Sequence, residues 1–177
     1  MKIKLLMLAL ALTVPGSGCV PRHWQTVSEN GFTVSMPGTP TKGQQSTPTA
    51  VGDITAYTYT VEFRNEAFTV AFNDYPPTAV ARLTDTDKLL DGGRTGAISN
   101  INGTLTEEHA VKLAGYSGKE FSADSAEKGA TVTDRIFWVP PRLYQVIYTR
   151  RKGGPLAGDG QKFLDSFSLA PSAAGGH

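Results

Sequence analysis

The stretch T-V-T-D-R-I-F-W-V-P-P-R-L-Y-Q-V-I-Y-T-R, residues 131–150, decides the fold of this chain. Residues 132–139 and 143–148 are rich in β-branched and aromatic side chains, and Pro140-Pro141 separates them where a central strand cannot continue. The pattern predicts a β-hairpin. Because side chains alternate along a strand and both faces of this hairpin are apolar, we expect the sheet to be covered on both faces.

The segment that follows predicts part of that cover. Residues 159–169 read D-G-Q-K-F-L-D-S-F-S-L, in which Asp159 is placed to cap a helix and Phe163, Leu164 and Phe167 share one helical face. A last short strand is expected at residues 166–169.

The rest of the chain predicts more hairpins and one further helix. Asn30-Gly31 is typical of a two-residue type I′ turn, and Gly92-Gly93 permits a helix to approach the sheet closely. The predicted strands lie at residues 24–28, 32–36, 54–63, 68–72, 104–113 and 116–123, with a polar loop at 41–52 and the helix at about 84–99. We therefore predict an α+β fold: an antiparallel sheet of about seven to nine strands built from hairpins, with one helix in mid-chain and one C-terminal helix packed on it.

The composition and charge of the chain limit the classes of function that we expect. A chain of 177 residues with 40% hydrophobic and 19% charged residues suits one globular domain. Without Lys2 and Lys4, which fall in the leader described next, it has 15 basic and 16 acidic residues, a formal charge of −1. A near-neutral domain lacks the basic footprint that nucleic-acid binding needs, so that class is not expected.

The N-terminus predicts export. Lys2 and Lys4 precede an apolar run at residues 5–14, which is too short to span a bilayer as a helix and is typical of a signal peptide. We predict a signal peptide at residues 1–18, a tether at 19–23, a single domain at 24–170 and a disordered tail at 171–177. With one cysteine, the exported chain has no intramolecular disulfide.

Ser17-Gly18-Cys19, directly after the apolar run, resembles the signal of bacterial lipoproteins, in which a peptidase cuts before the cysteine and the thiol carries the lipid. Gly16 stands where that family usually has an aliphatic residue. The resemblance implies lipidation of Cys19 and anchoring to a membrane of the cell envelope. The alternative is a soluble secreted protein, because Gly16 and Gly18 also satisfy the general signal-peptidase rule.

The order of elements resembles the PsbP/Mog1-like fold, an antiparallel sheet sandwiched by helices. The resemblance lies in G-F-T-V-S-M-P at residues 31–37, R-L-Y at 142–144 and F-L-D-S-F at 163–167. It implies an α/β/α sandwich, found in photosystem accessory proteins and in several bacterial lipoproteins. It also implies an accessory or assembly role, and it carries over no ligand residue.

The residues that could carry chemistry form no clear site. Ser117 and His109 are one candidate nucleophile and base, although the glycine spacing departs from that of a nucleophile elbow. Asp85, Asp87 and Asp91 lack the spacing of a calcium loop and suit the first turns of a helix. No cluster of cysteine and histidine suggests zinc. The sequence predicts no catalytic residue, no metal site and no cofactor.

A basic group is the remaining candidate. Arg150-Arg151-Lys152 follows the last hairpin strand, and Arg142 begins that strand. These four residues are candidate contacts for a protein partner or an anion. The leading prediction is a non-enzymatic, membrane-anchored envelope lipoprotein that binds a protein partner. The alternative is a lipoprotein that binds a small ligand or ion in a cleft between helix and sheet.

Overall fold

The computed structural model describes residues 22–49, 52–153 and 158–170. The predicted leader at 1–18, Cys19 and the tail at 171–177 lie outside these residues. The described elements are β1 (Gln25–Glu29), β2 (Phe32–Met36), β3 (Thr41–Thr49), β4 (Gly52–Phe63), β5 (Glu66–Asp74), α1 (Pro77–Arg82), α2 (Thr86–Asn100), β6 (Thr104–Leu113), β7 (Tyr116–Ser125), β8 (Ala130–Val139), β9 (Arg142–Arg151), α3 (Gly158–Ser166) and β10 (Ser168–Leu169).

These strands form two antiparallel sheets. The larger has seven strands in the order β3-β4-β5-β9-β8-β7-β6, and the smaller has three in the order β1-β2-β10. The predicted hairpin is confirmed as β8 and β9, whose register runs from Ala130↔Arg151 to Val139↔Arg142. Because β9 also pairs with β5, this hairpin lies at the centre of the larger sheet.

The main core lies between one face of the larger sheet and a layer made of the smaller sheet and α3. Phe32 and Val34 of β2 and Phe163 of α3 are fully buried against Phe68 and Val70 of β5. The layer is also joined by polar contacts, since the backbone N–H of Ser35 donates to Ser166 Oγ at 2.9 Å. Apolar burial therefore holds the smaller sheet and α3 on the larger one.

The second core lies on the opposite face, under α2. Leu90 of α2 is buried against Ile136, Trp138 and Leu143 of the central hairpin. Gly93 permits the close approach, because a Cβ atom there would lie 2.3 Å from Ile136 Cδ1. None of the described helices has the length and apolar character needed to cross a bilayer.

The predicted α+β class, with its α/β/α sandwich, is wrong. Strands make up 57% of the described residues, and the protein is mainly β. One face of the larger sheet is covered mostly by a second sheet, because β2 pairs with β1 and β10 and not with a strand of the larger sheet. Hairpin patterns alone predict a single sheet covered by helices. Which hairpins share a sheet depends on contacts between residues that are distant in sequence, and the hairpin patterns do not contain this information.

Local predictions had mixed outcomes. The Asn30-Gly31 turn is confirmed, with both residues at positive φ of 49° and 86°, and the mid-chain helix is confirmed within two residues as α2. The polar loop at 41–52 is wrong: β3 pairs with β4 from Thr41↔Thr60 to Thr49↔Gly52. As an exposed edge strand, β3 needs no apolar face, so its polar sequence resembles a loop. Asp159 lies inside the first turn of α3, which begins at Gly158, and not at the predicted N-cap.

Candidate functional site

Arg142, one of the four predicted contacts, is bound within the protein. It donates to both oxygens of Asp74, at 2.5 Å from Nε to Oδ1 and 3.0 Å from Nη2 to Oδ2, and to the carbonyl of Asn30. Its guanidinium also lies 4.1 Å from the centroid of the Phe72 ring. Since Asn30 belongs to the β1–β2 turn and Asp74 to β5, Arg142 joins the two sheets. This pairing favours a structural role for Arg142.

We expect Arg142→Ala to lower the free energy of unfolding by about 1–3 kcal/mol, through loss of the hydrogen bond to Asn30 and the packing on Phe72. The ion pair itself adds little, because the Asp74 side chain is 39% exposed. Arg142→Lys should recover only part of the loss, since an ammonium cannot reproduce the planar two-point contact. Urea unfolding measures the difference. The matched control is Arg151→Ala, at an exposed position on the same strand, and equal effects of the two alanine variants would contradict a structural role.

The other three predicted contacts lie at the opposite end of β9. Arg151 lies nine positions after Arg142 along the extended strand, which is a distance of roughly 30 Å. Arg150 donates to Thr133 Oγ1 at 3.0 Å, and Lys152 Nζ lies 3.8 Å from Asp124 Oδ2. The four residues therefore do not form one anion site, although Arg150, Arg151 and Lys152 remain together.

Ser117 and His109 do not form a catalytic pair. In the antiparallel register His109 faces Glu120, and Ser117 faces Lys112, three positions further along β6. An odd separation puts the two side chains on opposite faces of the sheet. His109 Nε2 lies 3.6 Å from Glu120 Oε1, on the face away from Ser117.

The acidic residues of α2 serve the helix and its packing. Asp85 is the N-cap, accepting a hydrogen bond from the backbone N–H of Lys88 at 3.1 Å. Asp91 accepts one from Lys119 Nζ at 2.5 Å, which ties α2 to β7 and holds the pKa of Asp91 below its usual value. Among the described residues, no group of acidic, histidine or cysteine side chains could hold a metal ion.

A cleft of about 620 Å³ lies between α2 and the larger sheet. We call it the α2 cleft. Its size falls within the range of small-molecule sites. Leu89, Ala97 and Ile101 border it on the helix side, and Val132, Leu143 and Ile147 form apolar parts of the sheet side. Its polar lining includes Asn73, Asn100, Asp134, Gln145 and Thr149. This is the mixed lining, mainly apolar with a few polar groups, that small-molecule sites use.

Asp134 is the unusual residue of the α2 cleft. Its side chain is buried, and Oδ2 accepts a hydrogen bond from Gln145 Nε2 at 2.7 Å. The other oxygen, Oδ1, is also buried and has no hydrogen-bond partner among the described residues. Burial raises the pKa of Asp134 to about 7, and the hydrogen bond from Gln145 acts in the opposite direction. A buried carboxyl with an unpartnered oxygen costs stability, and such groups concentrate at functional sites.

Two glycines open the α2 cleft on its helix side. Gly92 and Gly96 are exposed and line the cleft, and a Cβ atom at either would meet no other atom within 4 Å. Each glycine costs a helix about 1 kcal/mol relative to alanine. Close packing explains Gly93 but not these two positions. Their small size leaves room in the cleft.

The sequence held a signal for this site that was missed. Val132, Asp134, Ile136 and Trp138 alternate along β8 and so share one face. An aspartate among three apolar residues on a covered face indicates a buried carboxyl. What the sequence could not show is that, within the described part of the chain, Gln145 is the one side chain that donates a hydrogen bond to it.

Comparisons with known proteins do not assign the chain to a family. No protein-family model matches the chain, and no curated protein sequence matches it. The crystal structure of a protein of unknown function from Pseudomonas aeruginosa is 7% identical over an alignment that covers 73% of this chain and 84% of that chain, with a TM-score of 0.39. A similarity this low carries no argument about fold or function.

Proposed function

We propose that this protein is a non-enzymatic, lipid-anchored envelope protein that binds a small organic cation in the α2 cleft. The observation that carries the proposal is the buried Asp134 carboxyl at the cleft, with one oxygen that has no partner among the described residues. A ligand that displaces the packing over Oδ1 and donates a hydrogen bond to it would supply the missing partner.

The lining favours an ammonium or guanidinium group on an apolar body. Asp134 and Lys88 are the charged members of the described lining, and the Lys88 side chain is 84% exposed and lies 3.3 Å from Asp85. A cationic head can therefore pair with Asp134 at the cleft, while Leu143 and Ile147 contact the apolar body. A charge-assisted hydrogen bond in a desolvated site is stronger than a neutral one.

Anchoring through Cys19 is supported by the residues around it in the sequence. Cys19 follows small residues at the end of an apolar leader, and Arg22 is already bound to the domain through Glu66. Lipid on Cys19 would therefore hold the domain close to a membrane. The alternative is a soluble secreted protein with the same cleft.

Binding to a protein partner is the second candidate function. The edge strands β3 and β6 each pair with one neighbour in the described sheet. Residues 41–48 and 104–110 on these edges are exposed. An exposed edge can accept a strand from another protein. We prefer the cleft because an exposed edge is common in sheets, whereas an unpartnered buried carboxyl is rare.

Thermal unfolding with added probes tests the cleft. Primary alkylamines and alkylguanidinium salts should raise the melting temperature at pH 8, and alcohols of equal chain length should not. Binding at a hundredfold excess over Kd would stabilise the native state by about 2.7 kcal/mol.

The variants Gly96→Leu and Thr95→Leu form a matched pair for this test. Leucine at 96 fills open space in the cleft, while the exposed Thr95 is not part of the cleft lining. We expect Gly96→Leu to abolish the stabilisation by amines and Thr95→Leu to retain it. Equal stabilisation of both variants would place the amine elsewhere and overturn the proposal.

A further inference from the structure

The N-terminal segment enters the domain at one defined end. Arg22 Nη2 lies 3.2 Å from Glu66 Oε1, Nη1 pairs with Asp159, and the guanidinium lies 4.8 Å from the centroid of the Phe63 ring. Trp24 then packs against Phe68, with ring centroids 6.2 Å apart. We call this the tether end of the domain.

Covalent geometry ties the tether end to Cys19. Three residues of chain reach at most about 10 Å, and Cys19 precedes Arg22 by three positions. A lipid on Cys19 would therefore keep the tether end within roughly that distance of the headgroup layer. This step depends on the anchoring part of the proposed function and is independent of the α2 cleft.

Three chain segments form one surface at the tether end. They are the β4–β5 turn at Arg64-Asn65, the β7–β8 turn that ends at Gly129, and the last residues of β9. Backbone hydrogen bonds join them, from Arg151 N to Asn65 O at 3.1 Å and from Lys152 N to Gly129 O at 2.8 Å. A groove of about 420 Å³ runs between them. The surface is therefore a fixed arrangement and not three separate loops.

This surface combines basic side chains with an exposed aromatic ring. Arg64, Lys128 and Arg151 are exposed on it, and Arg150 lines the same groove. Phe63 is 40% exposed, one of three large hydrophobic residues that are exposed in the described part of the chain. Basic residues beside an aromatic ring are typical of surfaces that meet the membrane interface.

The acidic residues at this end are mostly paired. Glu66 and Asp159 bind Arg22, and Asp124 lies near Lys152. Glu127 accepts a hydrogen bond from Asn102 Nδ2 at 2.6 Å, and Glu62 lines the groove. The charged residues named at this end are six basic and five acidic, a small positive excess, and Arg64, Lys128 and Arg151 are the basic residues exposed on the groove.

We propose that the tether end docks on anionic phospholipid headgroups, with Arg64, Lys128 and Arg151 contacting phosphate and Phe63 entering the interface. The lipid on Cys19 supplies the anchor, and this surface sets the orientation of the domain. The Arg142 end then faces away from the membrane.

The test uses the full acylated chain in vesicles of phosphatidylcholine, with and without phosphatidylglycerol, containing brominated lipid. Cys19 is the one cysteine in the chain, so acylation leaves an introduced cysteine as the single reactive thiol. A fluorophore at Asn65→Cys reports the tether end, and one at Ser117→Cys reports the opposite end. We expect brominated lipid to quench the Asn65 label at least threefold more than the Ser117 label, and only with anionic lipid at moderate salt.

Charge reversal supplies the matched variants. A triple variant should reduce the quenching of the Asn65 label to its level in neutral vesicles. It combines Arg64→Glu, Lys128→Glu and Arg151→Glu. The control variant changes three exposed residues away from the tether end and should leave the quenching of the Asn65 label unchanged. It combines Arg82→Glu, Lys88→Glu and Lys112→Glu. Circular dichroism establishes that both variants are folded.

Other outcomes overturn the proposal in distinguishable ways. Equal quenching of both labels, or quenching that does not depend on anionic lipid, would contradict docking. Protection of the Asn65 label in native envelope but not in vesicles would assign the surface to a protein partner. Mass spectrometry that finds Cys19 unmodified would remove the anchor on which the proposal rests, without bearing on amine binding in the α2 cleft.

Discussion

The free energy of unfolding should fall by roughly 2–3 kcal/mol between pH 5 and pH 8 through Asp134 alone, and Asp134→Asn should remove that loss. In the folded protein burial raises the pKa of this carboxyl from its usual 3.8 to about 7. Between these two values the native state holds a proton that the unfolded chain releases. Stability from this group is therefore greatest at low pH and is lost as pH rises towards 7.

Urea unfolding of both proteins across this pH range measures the effect. An asparagine at 134 keeps an acceptor for Gln145 but leaves an amide at the position of Oδ1, so the variant can be less stable overall. The prediction concerns how steeply the free energy of unfolding changes with pH, and not its value at any one pH. Asp53→Asn, at an exposed aspartate, is the control and should leave the slope unchanged. A steep slope that persists in Asp134→Asn would contradict the buried state described for this carboxyl.

Gly160→Ala in α3 should destabilise the protein by about 1–3 kcal/mol, although alanine favours a helix over glycine. A Cβ atom at 160 would lie 2.4–2.7 Å from three ring atoms of Tyr148, which is buried in the main core. The ring is rigid and cannot yield as a flexible side chain does. The substitution must therefore displace α3 from the sheet.

Gly158→Ala is the matched control on the same helix. A Cβ atom at 158 would meet nothing within 4 Å, so this variant should be neutral or slightly more stable. Thermal or urea unfolding of the two single variants gives the comparison. If both alanines stabilise the protein equally, α3 does not pack on Tyr148 as described.

The sequence predicted those parts of the fold that depend on neighbouring residues. Asn30-Gly31 forms its turn because both residues tolerate positive φ, and Pro140-Pro141 separates two strands that pair directly. The helix at 86–100 begins at the Asp85 cap, whose side chain accepts the hydrogen bond that this position requires. In each case the interaction that decides the structure lies within a few residues of chain.

The parts that were wrong depend on distant partners. The smaller sheet exists because Ser168 and Leu169 pair with Thr33 and Phe32, more than a hundred positions earlier. Hairpin patterns do not say which hairpins share a sheet, so a single sheet covered by helices was expected. The Asp74 partner of Arg142 was also not predictable from local sequence, because it lies 68 positions away.

The sequence suggested where a ligand could bind but did not indicate which residue would bind it. A cleft between helix and sheet was the alternative interpretation of the sequence, and the described structure contains one. Asp134 was not singled out, because its importance comes from what surrounds it. The burial of Asp134, and the lack of a partner for Oδ1 among the described residues, both arise from packing between elements.

The most direct test of cation binding in the α2 cleft is a titration of the Asp134 carboxyl itself. Its carbon-13 resonance, measured across pH with and without a primary alkylamine, gives the pKa in the free and bound protein. We expect a pKa of about 7 for Asp134 in the free protein and a clear decrease when the amine binds, because a cation favours the ionised form. A pKa in the ordinary aspartate range, or one that the amine leaves unchanged, would contradict the claim that Asp134 recognises a cation in the α2 cleft.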